Sequence, residues 1–209
     1  MNPRALSQAL RRTLWSALDE LGFTTRTERV AWRHEAGHTD LVEISALGTL
    51  ADSVGATTTS FGAHVASVPE WLDIAVPLRR GLPAPHYWSS DLRMSLHKTL
   101  SQPWFAPFAG EPAKATPLSF LVHREGLKHV LRRDTHDRPD IWYVLDDGTN
   151  IDEVVTDLTQ VVLSVGLPRL DAFHQPIAVI AMVEAGELGA RPGSSVATDL
   201  IHQARRLLD

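Results

Sequence analysis

Arg29-Val30-Ala31-Trp32-Arg33-His34-Glu35-Ala36-Gly37-His38-Thr39-Asp40-Leu41-Val42-Glu43-Ile44-Ser45 is the stretch on which the fold turns. On a helix, His34 and His38 would share a face at i and i+4 and ligate zinc, and Glu35 would activate a metal-bound water. As paired strands, the same residues bend at Glu35-Ala36-Gly37 and the zinc geometry is lost. Holding Thr27, Val30, Gly37, Thr39, Val42 and Ile44 in a helix carries about 3–4 kcal/mol of intrinsic penalty relative to alanine. No continuous apolar stripe lies opposite the two histidines. Val30 and Trp32 alternate with Arg29 and Arg33, and Val42, Ile44 and Ala46 alternate with Glu43 and Ser45, which is the period of a half-buried strand. The expectation is a β-hairpin with Gly37 in the positive-φ position and His34 and His38 near-opposed, with Cβ atoms about 5 Å apart. On that reading no metal or catalytic residue is assigned. The alternative is a zinc-dependent hydrolase using His34, His38 and Glu35.

The strand period continues outward. Phe61, Ala63 and Val65 alternate with Gly62 and His64, giving a three-stranded antiparallel meander, and Leu92, Met94 and Leu96 mark a further strand over 91–97. Ile141 to Leu145 is apolar on both faces and reads as a central strand. Before the meander, Leu6, Leu10, Leu14, Leu18 and Leu21 repeat at helical spacing behind an Asn2 cap and Pro3, and Gly22-Phe23 ends that helix. A second helix is expected from an Asn150 cap, with Glu153 as its capping-box partner, through a valine-rich stripe to Gly166 and Pro168. A short helix over 176–184 and an amphipathic one over 195–208 follow. Residues 69–85 and 98–117 are Pro-rich connections, and 118–133 fits either a helix or two short strands. The fold class is therefore α+β. A mainly antiparallel sheet of about five strands has helices packed on one face, with one domain over 1–185, a linker at 186–193 and a C-terminal helix from 194.

The 209-residue chain is 44% hydrophobic, contains no cysteine and carries a net charge of −5. Without cysteine there is no disulfide scaffold, thiolate metal site, iron–sulfur cluster or cysteine nucleophile. The acidic balance argues against binding a nucleic-acid backbone, because the Arg pairs at 11–12, 79–80, 132–133 and 205–206 form no continuous run. No segment has the apolar length of a membrane span, and the first helix is too charged for a secretion signal, so the expected location is cytoplasmic.

Other constellations are weaker. Asp40 and Glu43 match the acidic half of a restriction-type nuclease core, but Ser45 stands where that chemistry needs a lysine. Asp134, Asp137, Asp140 and His136 lack the glycine and terminal Glu of a calcium loop. His64, His86, His97, His123, His129 and His136 share no ligand spacing. Ser89, Ser90 and Ser119 have no nucleophile-elbow context.

Two resemblances bear on this reading. Val30 to His38 resembles the zinc-binding stretch of membrane-anchored AAA-type metalloproteases, over fewer than a dozen residues. The order of elements is more extensively similar to an uncharacterised bacterial domain-of-unknown-function family. Its marks here are a first helix into Leu21-Gly22-Phe23, a strand with Arg26 and Trp32-Arg33, then Leu41-Val42-Glu43, Phe61-Gly62, a late Trp142 strand and the exit Gly166-Leu167-Pro168-Arg169-Leu170. The resemblance spans residues 5–184 and implies a small α+β protein with no catalytic set to carry over. Members usually have Gln where this chain has Glu43, and the histidine pentad is not general among them. It supports the hairpin over 24–47. Together these features point to a non-enzymatic protein-binding module of an interaction or immunity type in bacterial competition or defence. It would need no cofactor, and its partner would be a protein of basic character. Trp71, Trp88 and Trp104 are the candidate anchors.

Overall fold

The computed structural model describes residues 3–35, 37–48, 51, 56–72, 90–102, 138–188 and 192–209. Residues 118–133, which fit either a helix or two short strands, and Trp88 and Trp104 lie outside these residues. Five strands form one antiparallel sheet in sequence order: β1 (Thr25–Arg26), β2 (Val30–Glu35), β3 (His38–Ala46), β4 (Phe61–Pro69) and β5 (Leu92–Ser95). The hairpin reading is therefore correct. Glu35 pairs with His38 across a two-residue connection, and Gly37 sits at φ +86°. Most L-residues avoid that region because Cβ crowds the following carbonyl.

The helical layer begins with α1 (Pro3–Leu10), a π turn at Arg11–Trp15 and α2 (Ser16–Asp19). Leu6, Leu10, Leu14 and Leu18 are buried as their spacing requires, while Leu21 is exposed. Gly22 at φ +87° reverses the chain, the Phe23 amide donates to the Leu18 carbonyl at 3.1 Å, and the Phe23 ring is fully buried.

The valine-rich helix departs from expectation. It runs through α3 (Ile151–Val161), a π turn at Val162–Gly166 and α4 (Leu167–Phe173), so Gly166 and Pro168 do not end it. Pro168 follows directly on the π turn, an irregularity that lets the helical run pass a residue with no N–H to donate. Gly166 is helical and serves close approach instead: a Cβ there would sit 3.1 Å from Val65 Cγ1 on β4. Asn150 makes no side-chain cap. Its amide bonds the Leu145 amide and the Tyr143 carbonyl, both at 2.9 Å, and fixes the approach to α3.

Ile141 to Val144 is buried as its composition implies, with Leu145 half-buried, yet among the described residues the segment forms no ladder strand. Trp142 makes one bridge to Phe61, and the fifth strand is β1. Asp157 on α3 holds this segment by accepting from Trp142 Nε1 at 2.8 Å and from the Thr99 amide and hydroxyl.

After α4 come α5 (Pro176–Glu184) and α6 (Ser195–Arg205), the latter capped by Ser194, whose hydroxyl accepts from the Ala197 amide. Ala197 and Leu200 of α6 join the main core, and Leu188 from the expected linker is buried with them, so the C-terminal helix packs on its own chain. Among the described residues no helix is long and apolar enough to cross a membrane.

Gly37→Ala adds a Cβ that meets nothing within 4 Å, so its cost is backbone strain alone, about 1 kcal/mol by urea unfolding. Asp157→Ala leaves buried donors unpaired and should cost about 2–3 kcal/mol in the same measurement.

A candidate metal centre at the tip of the hairpin

Strand alternation and register separate the two motif histidines. His34 pairs with Thr39, and its Nδ1 lies 2.7 Å from the Thr39 hydroxyl; His38 pairs with Glu35. Since both pairs are direct neighbours on adjacent rungs, His34 and His38 project from opposite faces of the sheet. The expected near-opposition of the two histidines is thus wrong by one rung, and the i, i+4 zinc site does not exist. The same alternation puts Asp40 and Glu43 on opposite faces, which dismantles the nuclease pair.

The helix-facing side of the hairpin carries Arg33, Glu35, His38 and Asp40. They meet His174 at the end of α4, where α4 gives way to the turn before Pro176. Ligand-type atoms of His38, Asp40 and His174 all lie within 4.8 Å of one another. Asp40, at 0% exposure, is the centre of the cluster. His174 Nε2 lies 2.8 Å from its Oδ1, and Arg33 donates through Nε and Nη2 to its Oδ2 at 3.1 and 3.0 Å. The Ser67 hydroxyl, on the β4 residue paired directly with Asp40, faces the carboxylate without a well-formed hydrogen bond. Burial alone would raise the Asp40 pKa. The bonds to His174 and the Arg33 guanidinium, with the nearby Ser67 hydroxyl, outweigh it and hold the carboxyl below its ordinary value.

The His38 and His174 rings stack with centroids 3.4 Å apart. His38 Nε2 is buried and makes no hydrogen bond, although Glu35 Oε2 is 3.5 Å and Asp40 Oδ2 3.8 Å away. Burial lowers the His38 pKa most, and the neighbouring His174 and Arg33 act in the same direction against Asp40 and Glu35. A neutral imidazole with an unclaimed ring nitrogen is the form that coordinates a metal ion.

Arg33 is fixed from behind. Its Nη1 donates to the Leu21 carbonyl at 3.1 Å and reaches Glu35 Oε1 at 3.2 Å, and its guanidinium carbon sits 4.8 Å from the Phe23 ring centroid. The Gly22-Phe23 helix exit therefore seats the cation that neutralises Asp40. Asp171 on α4 lies 3.9 Å from Arg33 Nη2.

Glu35 and His38 belong to the sequence motif and Asp40 to the discarded nuclease pair, whereas His174 belongs to no sequence motif. The available signal was His38-x-Asp40 on a strand, a spacing that puts both side chains on one face. Among the described residues the other constellations do not assemble, and Asp134, His136, Asp137, His86, His123, His129, Ser89 and Ser119 lie outside those residues. His64 pairs with Ser95, Asp140 is bound by Arg138 at 2.6 Å, the Ser90 hydroxyl donates to the Ser67 carbonyl, and Trp71 packs against the main core.

No family model, no curated protein and no solved structure matches this chain. The site therefore rests on its own geometry.

Asp40→Ala strands a guanidinium that is 14% exposed, along with His174, and should cost about 3–5 kcal/mol in urea unfolding. Because the folded pKa of Asp40 is depressed, its stabilisation is present above the unfolded pKa of about 3.9 and is lost as pH falls through the lower folded value. The stability difference between wild type and Asp40→Asn should accordingly shrink below about pH 4.

Proposed function

We propose that this protein is a metal-stabilised, non-enzymatic binding module, in which a divalent transition metal ion held by His38, Asp40 and His174 clamps α4 to the sheet. The observation that carries this reading is the buried His38 Nε2, without a hydrogen bond, beside two other ligand-type atoms brought from distant parts of the chain. Imidazole and carboxylate donors without thiolate suit zinc, iron or nickel better than calcium or magnesium. The charges support it as well. With neutral histidines, Asp40, Glu35 and Asp171 face a single guanidinium, and a divalent cation balances the remaining negative charge. On binding, the Nε2 proton that His174 shares with Asp40 Oδ1 moves to Nδ1, so that the neutral ring coordinates through Nε2.

Glu35 has the reach to close a fourth position, which favours a structural rather than an open catalytic centre. The zinc-hydrolase alternative changes accordingly: Glu35 and His38 stay on one face, His34 drops out, and Glu35 would act on a bound water instead of binding the ion. What the module binds follows only from the acidic balance of the chain, which favours a basic protein surface.

Tag-free protein is expected to take up about one equivalent of zinc. At a free ion concentration near 100 Kd this adds about 2.7 kcal/mol of stability, a rise of about 5–10 °C in Tm. His38→Ala and His174→Ala should abolish the uptake, while His34→Ala should leave it intact. Glu35→Gln should weaken it about tenfold if Glu35 is the fourth ligand. Uptake that survives His174→Ala, or that His34→Ala abolishes, would refute the assignment.

A further inference from the structure

Arg33 occupies the position that a metal ion would contest. We propose that the Arg33 guanidinium is a resident counter-cation that competes with the metal for Asp40, so that Arg33 sets the affinity of the site. This rests on the metal reading above and adds to it an identified competitor and a direction of effect. The guanidinium reaches three carboxylates: Asp40 at 3.0 Å, Glu35 at 3.2 Å and Asp171 at 3.9 Å. Two of these, Asp40 and Glu35, are the carboxylates the metal needs. Like charges a few ångströms apart in a poorly solvated pocket repel strongly, since Coulomb energy grows as the local dielectric falls. An ion arriving between His38 and His174 therefore displaces the guanidinium from Asp40 Oδ2.

The structure also provides somewhere for the displaced cation to go. Asp171 is largely exposed and no metal ligand, and the Leu21 carbonyl and the Phe23 face keep Arg33 anchored while its Nε and Nη2 leave Asp40. The movement is a local swing between carboxylates. It couples occupancy to the turn that joins α2 to β1, because Leu21 and Phe23 flank Gly22.

The opposite role for Arg33 is that of an outer partner that orients Asp40 for the metal, in which case its loss weakens binding by about 10–100-fold. Asp40 depends little on Arg33 for orientation. Its side chain is short, fully buried and rooted in a strand paired on both sides. Competition therefore outweighs positioning, and the two roles predict effects of opposite sign.

The test is a zinc titration in chelator-buffered solution of the full chain, comparing wild type with Arg33→Gln, Arg33→Lys and Asp171→Asn, with folding of each checked by circular dichroism. Arg33→Gln should bind zinc at least tenfold more tightly than wild type, Arg33→Lys should stay within about threefold of it, and Asp171→Asn should bind more weakly. Zinc binding by Arg33→Gln alone also supports the proposal. Equal or weaker binding by Arg33→Gln overturns it while leaving the metal site standing. Absence of zinc binding by both wild type and Arg33→Gln removes the metal reading and this inference together. Should Arg33→Gln fail to fold, the side-chain Nε–H resonance of Arg33 in wild type decides. A shift on adding zinc is expected, and an unchanged resonance in the zinc-bound protein contradicts displacement.

Discussion

A carboxylate with no solvent exposure, Asp40, is the constraint around which the upper half of this fold is arranged. Left alone it would be far more costly to bury than the hydrophobic core around it could offset. It is tolerated because β2 supplies Arg33 directly opposite it and α4 supplies His174 at its end. Each partner requires further structure. Arg33 needs the Gly22-Phe23 helix exit behind it, and His174 needs α3 and α4 to continue as one helical run to the sheet. The first helix, the hairpin and the valine-rich helix thus converge on one charge. Buried ionic networks of this kind add little net stability compared with apolar packing, but they permit few alternative arrangements.

Continuity of the valine-rich helix is what delivers His174. Gly166 and Pro168 are ordinary stop signals, and a chain that obeyed them would turn away from the sheet before reaching it. Two features prevent this. The π turn at Val162–Gly166 leads into Pro168 in the first turn of α4, and the absence of a side chain at Gly166 brings the helix close to Val65. Local propensity was overruled by packing between helix and sheet, as it often is where a small residue lies between two layers.

What the sequence discloses and what it conceals divide along the same physical line. The hairpin was legible because strand alternation and a glycine at the turn are local signals, and the leucine spacing of the first helix is another. The face each histidine occupies was not, because it depends on whether two or three residues connect the strands, and one residue of slip reverses every side chain. Ile141 to Leu145 looked like a central strand because burial on both faces has the same composition whether a ladder or a single bridge accounts for it. His174 had no signal of its own. It lies 134 residues from Asp40, and only the path of α4 brings the two together.

The central claim is that His38, Asp40 and His174 make one coordination site and that the His-Glu-x-x-His pattern does not. Anomalous diffraction at the zinc absorption edge, on crystals of the tag-free protein grown with one equivalent of zinc, tests it most directly. A single strong peak about 2.1 Å from Nε2 of both His38 and His174 and from an Asp40 oxygen is the result expected. A peak at His34, or none on the helix-facing side of the hairpin, would contradict it.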